Sequence, residues 1–198
     1  MNKKIQKILE SLDFLDDIKL SEISSVNLYV EQVTSFLEDK LGHVKRNDDD
    51  KIITKTMINN YAKSGLIMSP VDNNRKYSKQ HVILLNLIYH LKKFISIDDI
   101  HTLLKPILHN IEIKEDDVIQ LEDIYAIFLD IKEAEFSNFD DIIEKNMKLI
   151  ESKIPETDDK HEEILEMFLT VLILGAQANA RKRLAEKIID TYFKKIDH

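Results

Sequence analysis

The chain has 198 residues, which allows one large domain or two small ones, and 43% of them are hydrophobic, enough for a buried core. It has no cysteine, which excludes disulfide scaffolds, thiolate zinc sites and cysteine nucleophiles. Only three glycines and three prolines are present, too few for a Walker loop or a dinucleotide-binding fingerprint, and this composition favours helices.

A basic segment stands out against an acidic background, because the net charge of −8 is unevenly distributed. Residues 51–93 carry eight cations against one anion, a balance of +7, which leaves −15 for the other 155 residues. Residues 107–164 alone carry 18 acids and 6 lysines. The asymmetry indicates a basic module that meets phosphates and an acidic module that does not, with chance clustering on a solvated face as the alternative.

The first half of the chain predicts helices separated by polar loops. A short amphipathic helix is expected in the first 20 residues, and a second over Val26–Leu41, ended by Gly42. Thr54 is expected to cap a short helix that Gly65 closes, since glycine readily adopts the left-handed conformation.

Helices also dominate the rest of the chain. Ser78 is expected to cap a helix that reaches Phe94, is apolar on nearly all sides and forms the core of the basic module. Ser96 opens a helix that Pro106 is expected to end. Further helices are predicted from Asp116 to Phe136, from the Ser137-x-x-Asp140 cap to near Pro155, and from Thr157 to about Phe193. The predicted fold class is all-α, with at most a tiny two-stranded wing.

Several classes of function lack the residues they need. The longest uncharged apolar stretch, Phe168–Ala176, is about half the ~20 residues of a membrane span, so we expect a cytoplasmic protein without membrane contact. His81 and His90 are nine residues apart, not the three or four that place two metal ligands on one helical face. Paired acids such as Asp158-Asp159 are explained as partners of a helix dipole. We therefore expect no metal, no cofactor and no enzyme activity.

The segment Thr54–Leu104 resembles the winged helix-turn-helix of MerR-like regulators. The matching residues are Thr54, Tyr61 and Gly65-Leu66 for the recognition helix and its exit, Arg75-Lys76-Tyr77 for the wing, and Leu84 to Leu104 for the packed helices. Asn59 stands where the MerR pattern has an arginine, and Ala62 where it has a glutamate.

A second resemblance covers roughly residues 25–130. The segments LYVEQVTSFLEDKLG, ITKTMINNYAKSGLI and KYSKQH are similar to an uncharacterised bacterial family, the domain-of-unknown-function 1836 family. This resemblance implies a MerR-like fold without an assigned activity. We expect an N-terminal helical extension (residues 1–24), a MerR-like helix-turn-helix domain (25–106) and an acidic helical C-terminal domain with a long last helix (107–198).

The candidate DNA contacts lie on the polar side of the short helix and on the basic strand. Asparagine binds adenine bidentately and lysine reaches guanine or phosphate, while the wing residues would hold the DNA backbone. For Tyr61, a DNA contact and a place in the core both stay open. The candidate residues are Thr54, Lys55, Thr56, Asn59, Asn60, Tyr61, Lys63, Arg75, Lys76 and Tyr77.

Two functions remain in view. The first is a DNA-binding transcriptional regulator whose C-terminal region serves dimerisation or signal sensing; the basic segment and Arg75-Lys76 favour it. The second is a protein-interaction module on a helix-turn-helix scaffold, which the net charge and Asn59 favour. The expected partners are double-stranded DNA and a second copy, since one short recognition helix reads few bases; no small-molecule effector can be named. A dimer seam and an intrachain core stay open for Ile164, Phe168, Val171, Leu172, Gly175, Leu184, Ile188 and Tyr192.

Overall fold

A computed structural model describes residues 3–12, 14–15, 17–71, 75–113, 119–155 and 158–196. Within these ranges the chain is mostly helical, and no strand is longer than an isolated bridge. The helices are α1 (Lys3–Glu10), α2 (Val30–Leu41), α3 (Lys55–Lys63), α4 (Lys79–Leu91), α5 (Ile97–Ile113), α6 (Leu121–Phe136), α7 (Phe139–Glu151), α8 (Asp159–Ile188) and α9 (Lys194–Ile196). A π-helical turn, Ile189–Phe193, connects α8 to α9. The all-α fold class is confirmed.

Several predicted helix boundaries are wrong, and two of them have a clear physical reason. Helix α2 begins at Val30 instead of Val26, because Leu28 is extended and exchanges backbone hydrogen bonds with Tyr77. Pro106 does not end its helix but lies inside α5. Proline forfeits one helical hydrogen bond, yet Ile100 and Leu104 hold α5 in the core, so packing outweighs that loss. The predicted helix starts at residues 116 and 157 lie outside the described ranges, but residues 119 and 120 are not helical, so α6 begins only at Leu121. The cap predicted at Ser137 is also wrong, because Asn138 is the N-cap of α7.

The chain divides into two units, which are described separately. The larger unit is Asp16–Leu129 with Glu186–His198, and the smaller is Met1–Leu15 with Asp130–Ala185. The larger unit contains α2 to α5 and the whole basic segment, so it holds every candidate DNA contact.

Helix α4 is the centre of the larger unit, as its sequence predicts. Its buried residues are His81, Val82, Ile83, Leu84, Leu85, Asn86, Ile88 and Tyr89. The amide nitrogen of Asn86 donates a hydrogen bond to the Tyr125 hydroxyl (2.6 Å), which donates in turn to the carbonyl of Ile18 (2.6 Å). Polar contacts of this kind satisfy buried groups and fix how α4, α6 and the segment before α2 meet.

The smaller unit has a thin core. Ile5, Ile143 and Met147 form it, with a few half-buried neighbours. Every residue of α8 from 171 to 184 is exposed. The sequence left a dimer seam and an intrachain core open for a set of apolar residues, and these side chains are exposed: Ile164, Phe168, Val171, Leu172 and Leu184 in the smaller unit, and Ile188 and Tyr192 in the larger one. The described part of the chain therefore does not cover them.

One helical stretch in the described ranges is long and apolar enough to cross a membrane by length and composition, residues Lys160–Ile196. Its most apolar 18-residue window has a mean hydropathy of 1.3, and only 6% of that window is buried. A single such helix is weak support for a membrane span, so the expectation of a cytoplasmic protein stays a prediction.

Candidate nucleic-acid interface

The sequence sets both ends of α3. The Thr54 hydroxyl accepts a hydrogen bond from the Met57 N–H (3.2 Å), which is the predicted N-cap. Gly65 ends the helix in the left-handed region at φ +73°, as predicted. Leu66 then donates its N–H to the Tyr61 carbonyl (2.9 Å) and buries its side chain completely, which turns the chain toward the wing. We use "wing" for residues 68–71 and 75–77, which follow this turn.

One face of α3 carries the exposed polar groups. Lys55, Asn59 and Lys63 follow each other at intervals of four residues and are all exposed. Thr56 and Asn60 are exposed one position further round the helix. Tyr61 lies in the core instead, and this burial raises the pKa of its hydroxyl. The structure thus separates the exposed polar face of α3 from a buried aromatic side chain on its other side.

Two isolated backbone bridges hold the wing. Val71 and Lys76 exchange hydrogen bonds of 2.7 and 3.3 Å, and Tyr77 exchanges bonds of 2.8 and 2.9 Å with Leu28. The Tyr77 side chain is buried, and desolvation raises the pKa of its hydroxyl against the opposing effect of the Arg75 charge. Tyr77 therefore anchors the wing to the core.

Arg75 occupies an unusual backbone conformation in this wing. Its φ of +51° lies in the left-handed region, and it is the only non-glycine residue with positive φ within the described ranges. That conformation costs an L-residue about 1–2 kcal/mol relative to the right-handed helix. The guanidinium group is exposed and has no hydrogen-bond or ion-pair partner in the described part of the chain.

Helix α3 and the wing border an open groove of about 520 Å³. It is lined by Val30, Lys55, Asn59, Ala62, Lys63, Ser69, Pro70, Arg75 and Tyr77. Among the residues that the structure describes, the lining includes three cations and no acid. Five of the predicted site residues meet here, whereas Thr54, Thr56, Asn60, Tyr61 and Lys76 lie outside the lining.

Two residues at the start of α2, its N-cap Tyr29 and Glu31, contact cations near the groove, and the sequence analysis missed both. Glu31 forms an ion pair with Lys55, which lowers the pKa of the Glu31 carboxyl. Lys76 places its ammonium group 5.0 Å from the centre of the Tyr29 ring, a cation–π contact. These partners precede Lys55 and Lys76 by 24 and 47 residues, so no spacing pattern indicates them.

His81 fastens the start of the wing to α4. Its Nε2 faces the carbonyl oxygens of Met68 (3.2 Å) and Ser69 (3.1 Å) and must donate to them, while Nδ1 accepts the Ser78 N–H (3.1 Å). Burial lowers the pKa of the imidazole. The neutral ring satisfies all three groups, and a histidine among the apolar residues near the start of α4 is the sequence signal for such a role.

No group of three or more His, Asp or Glu side chains suited to a metal ion exists within the part of the chain that the structure describes. A family model described as "Domain of unknown function (DUF1836)" matches residues 18–128. No curated protein and no solved structure matches the chain.

Proposed function

The chain belongs to the DUF1836 family, and we propose that it is a transcriptional regulator that binds double-stranded DNA in the manner of a MerR-like winged helix-turn-helix protein. In this proposal α3 is the recognition helix, and the wing contacts the phosphate backbone beside it. The family match supplies no activity, so the proposal rests on the groove.

The observation that carries the proposal is the groove lined by Lys55, Asn59 and Lys63 on one side and Arg75 on the other. A major groove about 12 Å wide accepts an α-helix whose exposed side chains reach base edges. Asn59, at the middle of the polar face, suits bidentate contact with adenine, and the flanking lysines suit guanine or phosphate. An arginine fork at the wing matches a phosphate of the adjoining backbone.

The backbone of Arg75 supports the same assignment. Glycine or asparagine occupies the left-handed region at lower cost in free energy. An arginine at this position therefore supplies a positive charge to the wing but makes the folded protein less stable. Residues held in strained conformations cluster at binding sites. Arg75 is therefore the wing residue we assign to the DNA backbone.

The experiment is a fluorescence-anisotropy titration of the full chain with duplex DNA over a range of salt concentrations. Arg75→Ala should flatten the slope of log affinity against log salt by about 0.9 and weaken all sequences alike. Asn59→Ala should cost about 1–3 kcal/mol at a preferred site obtained by selection from genomic fragments, and much less on random duplex. Lys51→Ala is the matched control, because Lys51 is an exposed cation of the basic segment outside the groove lining.

A second function is favoured by the Glu31–Lys55 pair. This pair offsets the charge of one of the three groove cations, which suits a partner with fewer charges than DNA, such as an acidic peptide. In that case Arg75→Ala would weaken peptide binding while duplex DNA showed no retention at ~50 mM salt, where electrostatic binding is strong. Absence of DNA binding at this salt concentration would reject the regulator and leave the interaction module.

A further inference from the structure

Lys92 uses its charge inside the fold, unlike the exposed cations of the basic segment. It is the C-cap of α4 and is half-buried. Its Nζ donates hydrogen bonds to the carbonyl oxygen of Ile52 and to that of Lys51 (3.3 Å). These two residues lie just ahead of Thr54, the N-cap of α3. We call residues 51–54 the α3 entry, so Lys92 joins the end of α4 to the α3 entry.

The backbone of the α3 entry takes its hydrogen bonds from Lys92. Ile52 and Ile53 bury their side chains, at 2% and 5% exposure, so their backbone lies at the edge of the core. A carbonyl without a donor is costly in such a place. Within the described residues no backbone N–H donates to the carbonyl of Lys51 or Ile52, and the Lys92 ammonium group satisfies both. The apolar side chains therefore hold the entry on the core, and Lys92 fixes its backbone.

The surroundings of Lys92 make its charge unfavourable. Burial lowers the pKa of the Lys92 ammonium group, and the charge of the neighbouring Lys93 lowers it further. The Tyr89 ring compensates in part, because its centre lies 5.4 Å from Nζ of Lys92. A methionine would fill the same space without a charge to desolvate. The lysine therefore serves the two carbonyls of the α3 entry, which packing alone would leave without a donor.

We propose that Lys92 is a positioning residue of the candidate DNA interface, which sets where α3 presents Lys55 and Asn59 to the bases without touching DNA itself. This inference rests on the proposed function. The path from Lys92 to these side chains is short. Thr54 is the last residue of the α3 entry, and its hydroxyl accepts the Met57 N–H, so a shift of the entry moves the first turn of α3. Lys55 follows Thr54 directly and lines the groove.

The neighbouring Lys93 provides a matched control. Its ammonium group also lies over the Tyr89 ring, 4.1 Å from the centre, but donates to the Tyr89 hydroxyl (2.7 Å). Among the described residues it makes no hydrogen bond to the α3 entry, and its side chain is exposed. The two lysines share a helix end, a charge and an aromatic partner. Replacing each by methionine therefore separates the contact with the α3 entry from the other properties.

The first experiment follows hydrogen exchange of the free, full-length protein by NMR. Lys92→Met should speed exchange of the Met57 and Ile58 amides, which both bond to Thr54, by about tenfold, because buried carbonyls lose a charged donor. Lys93→Met should leave these rates unchanged. Lys92→Arg keeps a cation with N–H donors and should restore most of the protection.

The amides at the centre of α4 serve as the internal reference for this experiment. They should exchange at wild-type rates in all three variants, because the expected opening is confined to the first turn of α3. Equal acceleration in α3 and α4 would show a general loss of stability and overturn the positioning role.

The second experiment is the fluorescence-anisotropy titration, with the preferred site and with random duplex. Lys92→Met should weaken binding of the preferred site by about tenfold, which is within the range for one lost base contact. Binding of random duplex and the slope of log affinity against log salt should stay unchanged, because Lys92 neutralises no phosphate. Lys92→Arg should bind close to the wild type, and Lys93→Met should keep the wild-type ratio of the two affinities.

The salt slope and the exchange rates decide between the possible results. A slope flatter by about 0.9 in Lys92→Met would make Lys92 a direct phosphate contact and overturn the positioning role. Unchanged exchange and unchanged affinity would show that Ile52 and Ile53 place the entry alone, which also overturns it. A wild-type protein that binds no DNA would overturn the proposed function and, with it, any role of Lys92 in DNA binding. The exchange rates would then still show whether Lys92 holds the α3 entry.

Discussion

Arg75→Gly should make the protein more stable and a weaker DNA binder. Arg75 pays about 1–2 kcal/mol for its left-handed backbone at φ +51°, and glycine adopts this conformation without that cost. Glycine also loses more backbone entropy on folding, about 0.5–1 kcal/mol, which offsets part of the gain. The expected net increase in the free energy of unfolding is therefore about 0.5–1 kcal/mol.

Urea unfolding followed by circular dichroism measures this change, since the chain has no tryptophan to report it. For a chain of this length the gain corresponds to a rise of about 1–4 °C in Tm. DNA affinity should fall with the same flattened salt slope as Arg75→Ala, because both variants remove one cation. Arg75→Ala is the informative comparison: it also removes the charge but keeps a Cβ, so it should not gain the stability.

Three results would refute this reasoning. If Arg75→Gly unfolds at lower urea than the wild type, the guanidinium group stabilises the wing and the strain argument is wrong. If Arg75→Ala gains as much stability as Arg75→Gly, the gain does not come from the backbone conformation. If Arg75→Gly gains stability and keeps full DNA affinity, the arginine does not contact the backbone of DNA.

The remaining predictions concern the fold that supports the groove. Leu66→Ala should lower the free energy of unfolding by about 3 kcal/mol in a urea titration, since Leu66 is fully buried, whereas Leu149→Ala should change it by less than about 0.5 kcal/mol. Burial lowers the pKa of His81, so below pH 6.5 the unfolded chain binds a proton that the folded chain does not. The wild type should therefore lose stability as the pH falls below 6.5, and a His81→Gln variant should lack that part of the loss. Equal pH profiles for the two proteins would show that His81 is not the buried neutral group.

Features that depend on neighbours in sequence were predictable. Thr54 caps α3 and Gly65 ends it because capping and left-handed glycine involve residues within one helical turn. Apolar residues on nearly all sides of α4 predict its burial, and this pattern also lies within a single helix. The basic polar face of α3 was visible as well, because Lys55 and Lys63 share a face by spacing alone.

Features that depend on distant residues were not predictable. Pro106 reads as a helix end, but contacts of Ile100 and Leu104 elsewhere in the core keep α5 intact through it. The sequence allowed Tyr61 to lie either in the core or on the DNA-contacting face. Its burial depends on which residues pack against that side of α3, and the helix sequence does not contain this information. The Glu31–Lys55 pair joins residues of two helices, and no pattern within either helix contains it.

The net charge of −8 is a poor guide to whether this chain binds DNA. Charges separated by more than about 10 Å are largely screened at 0.1 M salt, so a phosphate in the groove interacts chiefly with the groups in contact with it. Among the described residues, those groups are Lys55, Lys63 and Arg75, and Glu31 reduces their effect through its ion pair with Lys55. DNA contact would break this surface pair and replace it with a phosphate, an exchange of one exposed ion pair for another that costs little. The local balance of the groove, and not the sum over the chain, decides the sign of its interaction with DNA.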